Sequence, residues 1–214
     1  MENGAFREKE NFLGAGIKAG AAVLIGGKSR RMGVNKAFLN IGQVRLIEKI
    51  VAQLKRFFPE VLLAGNEPES YCSLGLPVVP DAYPGCGPLA GIHAALAAAA
   101  HPYLFITACD MPFLDLDLAA LLLKNAPGYD VVVPRLGAYL EPLCAVYGKG
   151  CLPAIEAGLK EGRCKVTAFF AEVSVRYLDR EELSRFDLKK IFFNLNSPDD
   201  LEMAIKLGNP PNQL

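Results

Sequence analysis

Short apolar runs alternate along the chain with stretches that carry helical patterns. The runs predict β-strands at 21–25, 61–64, 77–79, 103–107, 130–133, 142–147 and 173–177. The stretches between them predict helices at 44–57, 88–100, 115–124 and 151–160, and a last helix that ends near Leu207. This alternation is typical of a mostly parallel sheet with helices on both faces. We therefore expect a single-domain, Rossmann-like three-layer α/β/α fold.

The length of 214 residues suits one well-buried α/β domain, and no linker divides the chain. The first 18 residues are rich in charge and have no apolar core like that of a signal peptide. We expect an N-terminal extension over 1–18, a domain over 19–208 and a C-terminal tail over 209–214.

The charge balance argues against two classes of partner. Lys plus Arg equals Asp plus Glu at 23 each, so no overall field attracts nucleic acid or an anionic membrane. No apolar run reaches the ~18 residues that a membrane-spanning helix needs. We expect neither a nucleic-acid partner nor a membrane, and any anion must be bound by a local site.

The six cysteines contain no C-x-x-C pair, and most lie in apolar segments where a thiol packs as a small hydrophobic group. This usage predicts reduced thiols and a cytoplasmic protein. The two histidines have no cysteine at metal-ligand spacing, which argues against a zinc site.

The first predicted strand leads directly into the run GGKSRRMGVNK at 26–36. Glycines at Gly26 and Gly27 allow backbone N–H groups to approach an anion, and Arg31 and Lys36 add positive charge. A Walker A loop is excluded because the position of its first glycine is Ala22, inside the strand. The run predicts a phosphate-binding loop, with a glycine-rich surface turn as the alternative.

Three further segments carry candidate chemistry. In VPDAYPGCGPLAG at 79–91, a strand end leads through glycines to a helix start that suits a ribose or base, although the glycines also fit a role in turns and packing. Asp110 follows a very apolar strand, where it suits Mg²⁺ or the cap of a short turn. Asn194 and Asn196 lie two residues apart on a predicted extended segment, so both amides can meet one ligand; Asn196 alone also suits a turn.

Together these segments identify a family. The signature LIGGKSRRMG at 24–33, with Lys36 after it, resembles that of nucleoside-triphosphate transferases of the nucleotide-diphospho-sugar transferase fold. The runs GPLAG at 87–91, CDMP at 109–112, EPL at 141–143 and NLNSP at 194–198 narrow the resemblance to molybdenum cofactor guanylyltransferases. The resemblance extends from about residue 20 to 207, with the motifs in the family's order and spacing.

The resemblance implies guanylyl transfer: the terminal phosphate of molybdenum-bearing molybdopterin attacks the α-phosphorus of GTP, and pyrophosphate leaves. It also implies Mg²⁺ as cofactor, and molybdoenzymes or their chaperones as recipients of the product. The implied catalytic residues are Arg31, Lys36 and Asp110, with Asp110 holding the Mg²⁺. The implied nucleotide-binding residues are Leu24, Ile25, Gly26, Gly27, Lys36, Asn66, Asp81, Gly87 and Asp110. Asn194 and Asn196 would face the molybdopterin.

Two residues depart from the family's usual pattern. Asn35 stands where an aspartate is common, which removes an acid beside Lys36 and predicts weaker metal or phosphate affinity. Ile25 stands where an alanine is common. Three alternatives therefore stay open: a cytidylyltransferase acting on the same pterin, a sugar-phosphate nucleotidyltransferase, and a nucleotide-binding homologue without turnover. The run GPLAG at 87–91 favours the guanine enzyme.

Overall fold

The apolar runs assemble into one central sheet in a computed structural model that describes residues 17–25 and 35–208. The strands in the described residues are β1 (Ala19–Leu24), β2 (Asn40–Ile41), β3 (Val44–Arg45), β4 (Val61–Ala64), β5 (Val78–Val79), β6 (Tyr103–Ala108), β7 (Val131–Leu136), β8 (Tyr139–Leu140), β9 (Cys144–Gly148) and β10 (Val175–Asp179). The eight-stranded sheet has the order β10-β7-β9-β6-β1-β4-β5, with β8 paired to β7. The strands β2 and β3 form a separate antiparallel hairpin.

Strand direction determines where the functional side chains gather. Strands β1, β4, β5, β6, β7 and β10 run parallel to one another, whereas β9 is antiparallel to β6 and β7. The carboxyl ends of six strands therefore lie at one edge of the sheet. In open α/β sheets this is the edge at which ligands bind.

Helices cover both faces of the sheet. Their bounds are α1 (Leu46–Phe57), α2 (Gly87–Ala98), α3 (Leu116–Lys124), α4 (Leu152–Lys160), α5 (Leu188–Ile191) and α6 (Pro198–Gly208). One core cluster joins the sheet to α1, α3 and α6, and a second joins it to α2 and α4. The three layers follow because the apolar residues of these helices must be buried against the sheet.

The interior strand β1 is apolar throughout because of its position in the sheet. Ala21 and Val23 belong to the first core cluster, whereas Ala22 and Leu24 belong to the second. Successive side chains of a strand point to opposite faces, and both faces of this strand are covered. A continuous apolar run is therefore required, and it ends where the chain reaches the edge of the sheet.

The predicted fold class, a single-domain α/β protein with a mostly parallel central sheet, is confirmed. The structure differs from the prediction in detail: residues 44–45, expected to begin the first helix, form β3 of the hairpin. Among the described residues, no helix combines the length and apolar character needed to cross a membrane. The expected extension over 1–18 and tail over 209–214 fall largely outside the described residues and stay predictions.

The prediction of six reduced thiols is wrong for one pair. Cys86 and Cys164 form a disulfide, although 78 positions separate them in the sequence. Cys86 is the N-cap of α2, and Cys164 lies in the segment after α4, a helix that packs beside α2. Sequence spacing carries no sign of this pairing, because it depends on how the two helices are placed on one face of the sheet.

Candidate functional site

Four of the predicted residues follow the carboxyl ends of parallel strands. Ile25 comes after β1, Asn66 after β4, Asp81 after β5 and Asp110 after β6. A fifth, Asn196, is brought to the same edge because the backbone N–H of Leu195 donates to the carbonyl of Asp110 at 2.9 Å. The sheet thus brings together residues that lie far apart in the sequence.

The side chain of Lys36 lies at the centre of this edge. Its Nζ is 3.3 Å from Oδ2 of Asp110 and donates to Oδ1 of Asn196 at 3.0 Å. The two charged side chains are only 15% and 25% exposed, so their attraction is less screened than that of a surface pair. We name Lys36, Asp110 and Asn196 the cation cluster.

The backbone that carries Lys36 is held by a capped 3-10 turn, Lys36–Phe38. The N-cap is Asn35, whose Oδ1 accepts from the backbone N–H of Ala37 at 3.1 Å. Its amide nitrogen donates to the hydroxyl of Tyr71 at 2.9 Å. Asn35 therefore contacts the backbone of the turn and the hydroxyl of Tyr71. The aspartate of the family pattern would instead be an acidic partner of Lys36.

Asn196 is anchored by the start of the last helix. Oδ2 of Asp200 accepts from the backbone N–H of Asn196 at 2.9 Å and of Ser197 at 2.8 Å, and Ser197 Oγ accepts from the N–H of Asp200 at 3.2 Å. These hydrogen bonds, first that from Asn196, lower the pKa of Asp200. Asn194 has a different contact, because its amide donates to the carbonyl of Phe192 at 3.1 Å. The structure thus places only Asn196 on the cation cluster.

Asn66 and Asp81 form a second polar pair at the same edge. The amide of Asn66 donates to Oδ2 of Asp81 at 3.1 Å, and the N–H of Asp81 donates to Oδ1 of Asn66 at 2.8 Å. The other carboxylate oxygen of Asp81, Oδ1, is buried and has no partner among the described residues. Burial raises the pKa of Asp81, and the hydrogen bond from Asn66 partly offsets this. Such an oxygen suits a ligand that donates an N–H or O–H.

The start of α2 lies beside this pair. Gly87 has a φ of +58°, a conformation that favours glycine. A Cβ at Gly91 would be 3.2 Å from Leu24 Cδ2 and 3.7 Å from Asp81 Oδ1. The absence of a side chain at Gly91 thus lets α2 approach the end of β1 and the carboxylate of Asp81.

His93 lies on α2, the helix that begins beside Asp81. Its ring packs edge-on against Tyr83 at 5.3 Å, and its buried Nδ1 has no partner among the described residues. Burial lowers its pKa. The neutral ring is therefore favoured, which suits a packed residue.

Three of the predicted site residues, Gly26, Gly27 and Arg31, lie outside the described residues. Sequence reasoning in turn missed Tyr71, which contacts Asn35 and accordingly lies at the base of the site. Its segment, Pro68–Leu74, is a 3-10 helix with no strand end or glycine-rich run to mark it.

A magnesium ion fits the donor chemistry of the cation cluster. Within 17–25 and 35–208, no group of three or more His, Cys, Asp or Glu side chains is arranged to hold a metal. Mg²⁺ does not require such a cage, because it commonly uses one or two carboxylates together with substrate phosphates and water. Asp110 supplies a partly exposed carboxylate of this kind, and Asn196 a neighbouring amide oxygen.

Comparisons with known proteins identify a family and several relatives of this chain. The family model described as MobA-like NTP transferase domain matches residues 21–175. A probable molybdenum cofactor guanylyltransferase of Pelotomaculum thermopropionicum is 46% identical over 189 residues, which are 88% of this chain and 92% of that protein. One of Carboxydothermus hydrogenoformans is 39% identical over 87% of this chain and 94% of its own length.

Solved structures show the same fold. Molybdopterin-guanine dinucleotide biosynthesis protein A of Archaeoglobus fulgidus superposes with a TM-score of 0.77 at 29% identity, covering 90% of this chain and 98% of that one. A 2-C-methyl-D-erythritol 4-phosphate cytidylyltransferase of Thermus thermophilus, at 19% identity, has a TM-score of 0.63 over 88% of this chain and 98% of its own. The second likeness concerns the fold alone.

Proposed function

Because this chain belongs to the MobA-like NTP transferase family, it is a nucleotidyltransferase, and we propose that it transfers GMP from GTP to molybdenum-bearing molybdopterin. In this reaction an oxygen of the acceptor's terminal phosphate forms a bond to the α-phosphorus of GTP. The bond from that phosphorus to the bridging oxygen breaks, and pyrophosphate leaves. The product is the guanine dinucleotide form of the cofactor.

The cation cluster is the observation that carries this proposal. Transfer of a nucleotidyl group requires two substrates to be aligned and negative charge on the leaving pyrophosphate to be neutralised. The positive ammonium group of Lys36 lies at the edge of the sheet, where it can neutralise this negative charge. The contact of Lys36 with Asn196 joins this edge of the sheet to the C-terminal segment. In our proposal the acceptor binds to that segment.

The nucleotide is assigned to the β1, β4 and β5 side of the edge. The backbone of Leu24, Ile25, Gly26 and Gly27 would contact the guanosine and the phosphates. Asp81, held by Asn66, would accept from the base or ribose through its unpartnered oxygen. Gly87 permits close approach of the ligand to the start of α2, and Arg31 would add a second cation near the phosphates.

Asp110 would hold the Mg²⁺. When bound there, the ion would neutralise negative charge on the phosphates and help to orient them for the reaction. Asp110→Asn keeps the side-chain shape and removes the charge. We expect this variant to fold, to lose at least about 100-fold in transfer rate and to need more Mg²⁺. A variant with the wild-type rate and Mg²⁺ requirement would exclude Asp110 as the metal ligand.

The acceptor is assigned to the side of Asn194 and Asn196. The amide of Asn194 is turned back to the carbonyl of Phe192, and that of Asn196 accepts from Lys36. Binding of the acceptor phosphate near Asn196 would place it next to the same ammonium group that faces the nucleotide. One lysine would then serve both substrates.

The decisive experiment measures pyrophosphate release by the purified protein with Mg²⁺, with GTP or CTP, and with or without molybdenum-bearing molybdopterin. We expect release only with GTP and acceptor together, and formation of the guanine dinucleotide as the product. Release with CTP in place of GTP would assign the protein to the cytidylyl reaction. Nucleotide binding without release under any condition would indicate a homologue without turnover.

A further inference from the structure

Tyr71 is a buried residue at the base of the site, where it contacts Asn35. It is 1% exposed and stacks on Phe38 with 5.0 Å between ring centroids. Its hydroxyl accepts from the amide nitrogen of Asn35 at 2.9 Å and is 3.4 Å from the carbonyl oxygen of Ile25. One phenol thus contacts the last residue before segment 26–34 and the first residue after it.

The direction of these hydrogen bonds follows from the donors. The backbone N–H of Ala37 can only donate, so the Asn35 atom that it contacts is the amide oxygen. The amide nitrogen of Asn35 then faces the hydroxyl of Tyr71 as a donor. The single proton of that hydroxyl is left for the carbonyl of Ile25.

An aspartate at position 35 would reverse this direction. A carboxylate accepts only, so it would take the phenol proton, and the buried carbonyl of Ile25 would lose its donor. The asparagine of this chain is therefore the residue type that lets one hydroxyl contact both flanks of the segment. This gives a physical reason for the departure from the family pattern at this position.

We propose that Tyr71 is a positioning residue for the nucleotide: with Asn35, it joins the end of β1 at Ile25 to the turn that presents Lys36. The proposal rests on the function proposed above. Holding the end of β1 and this turn together reduces the conformational freedom that Lys36 must lose when it binds a triphosphate. Loss of the hydroxyl should therefore weaken nucleotide binding although the Tyr71 side chain is buried.

The test uses two variants, each of which removes one partner of the hydrogen bond between Asn35 and Tyr71. Tyr71→Phe removes only the hydroxyl and keeps the ring that stacks on Phe38. Asn35→Ser keeps a capping oxygen for the N–H of Ala37 but is too short to reach Tyr71. Tyr147→Phe is the matched control, because it also removes a buried hydroxyl, which donates to the carbonyl of Pro142 at 2.8 Å in another part of the sheet.

Titration calorimetry with Mg²⁺ and GTP, without acceptor, measures the effect on binding alone. We expect Tyr71→Phe and Asn35→Ser each to weaken GTP binding about tenfold, the size of one lost hydrogen bond. The double variant should lose about as much GTP affinity as either single variant, because both substitutions remove the same hydrogen bond. Tyr147→Phe should bind GTP as the wild type does.

Three results would overturn the proposal. Wild-type GTP affinity in Tyr71→Phe would exclude a role for the hydroxyl. Equal loss of affinity in Tyr147→Phe, with an equal fall in melting temperature, would indicate a general loss of stability. Additive losses in the double variant would show that Asn35 and Tyr71 act separately. Failure of the wild type to bind GTP would instead contradict the function on which the proposal rests.

Discussion

At the scale of single residues, Lys36 is the residue on which the proposed reaction depends most, since its ammonium group contacts both Asp110 and Asn196. We expect Lys36→Ala to raise KM for GTP about 10- to 100-fold, because a charge-assisted contact to phosphate is lost. The control is Lys124→Ala, an exposed lysine in the last turn of α3. Steady-state kinetics checks this, and an unchanged KM in Lys36→Ala would remove Lys36 from the nucleotide site.

Asp81 links stability to pH at the same scale. Burial raises its pKa in the folded protein, so its contribution to stability is fully present below the unfolded pKa and is lost as pH rises through the folded pKa. We expect Asp81→Asn to melt about 2 °C above the wild type at pH 8, a small gain because the group is partly exposed. The gain should disappear as pH falls below about 4.

The same variant should bind GTP more weakly, because the charged acceptor that we assign to the base or ribose is lost. Thermal melts across pH, repeated with GTP, separate the two effects. A variant that melts below the wild type at pH 8 and equally with it below about pH 4 would show that the ionised carboxylate stabilises the fold. Unchanged GTP affinity would remove Asp81 from the binding site.

The residue types of the site could be predicted from the sequence, but their contacts could not. Lys36 and Asp110 each carry a chemical signal, since one follows a glycine-rich run and the other a buried strand. The contact of Lys36 with Asn196 spans 160 positions and depends on the placement of the last helix. Tyr71 carries no such signal, because a buried tyrosine is equally typical of an ordinary core.

At the scale of elements, the long apolar runs were predicted well because burial on both faces of a sheet requires them. Strands β4 and β6 lie within one residue of their predicted bounds. The direction of β9 was not predicted, since an apolar run has the same pattern in either direction. The hairpin β2–β3 was missed because its strands have two residues each, too few to show a period.

The packing of α2 provides a prediction at the element scale. Alanine favours a helix over glycine by about 1 kcal/mol, but a Cβ at Gly91 would crowd Leu24 at 3.2 Å. At Gly158 on α4, the nearest atom to a Cβ is at 3.6 Å, an ordinary contact. We expect Gly158→Ala to stabilise by up to about 1 kcal/mol and Gly91→Ala to give no gain. Urea unfolding compares the two, and equal gains would show that α2 has free space at Gly91.

At the scale of the whole molecule, the disulfide between Cys86 and Cys164 joins the start of α2 to the segment after α4. A link across 78 positions restricts the unfolded chain, and bonds of this kind typically contribute about 2–4 kcal/mol. We expect reduction, or the paired change of Cys86 and Cys164 to Ser, to lower the melting temperature by about 5–10 °C. Cys72→Ser is the control, because Cys72 is exposed and free.

Thiol counting tests the same bond independently of stability. Cys109, Cys144 and Cys151 are buried, and burial raises the pKa of Cys109 and of Cys151 to about 12, so these thiols should react slowly. A thiol reagent should therefore find one fast-reacting group, Cys72, in the oxidised native protein and three after reduction. Three fast thiols before any reductant, with a melting temperature that reductant leaves unchanged, would show that Cys86 and Cys164 are free and that the helices on this face are held by packing alone.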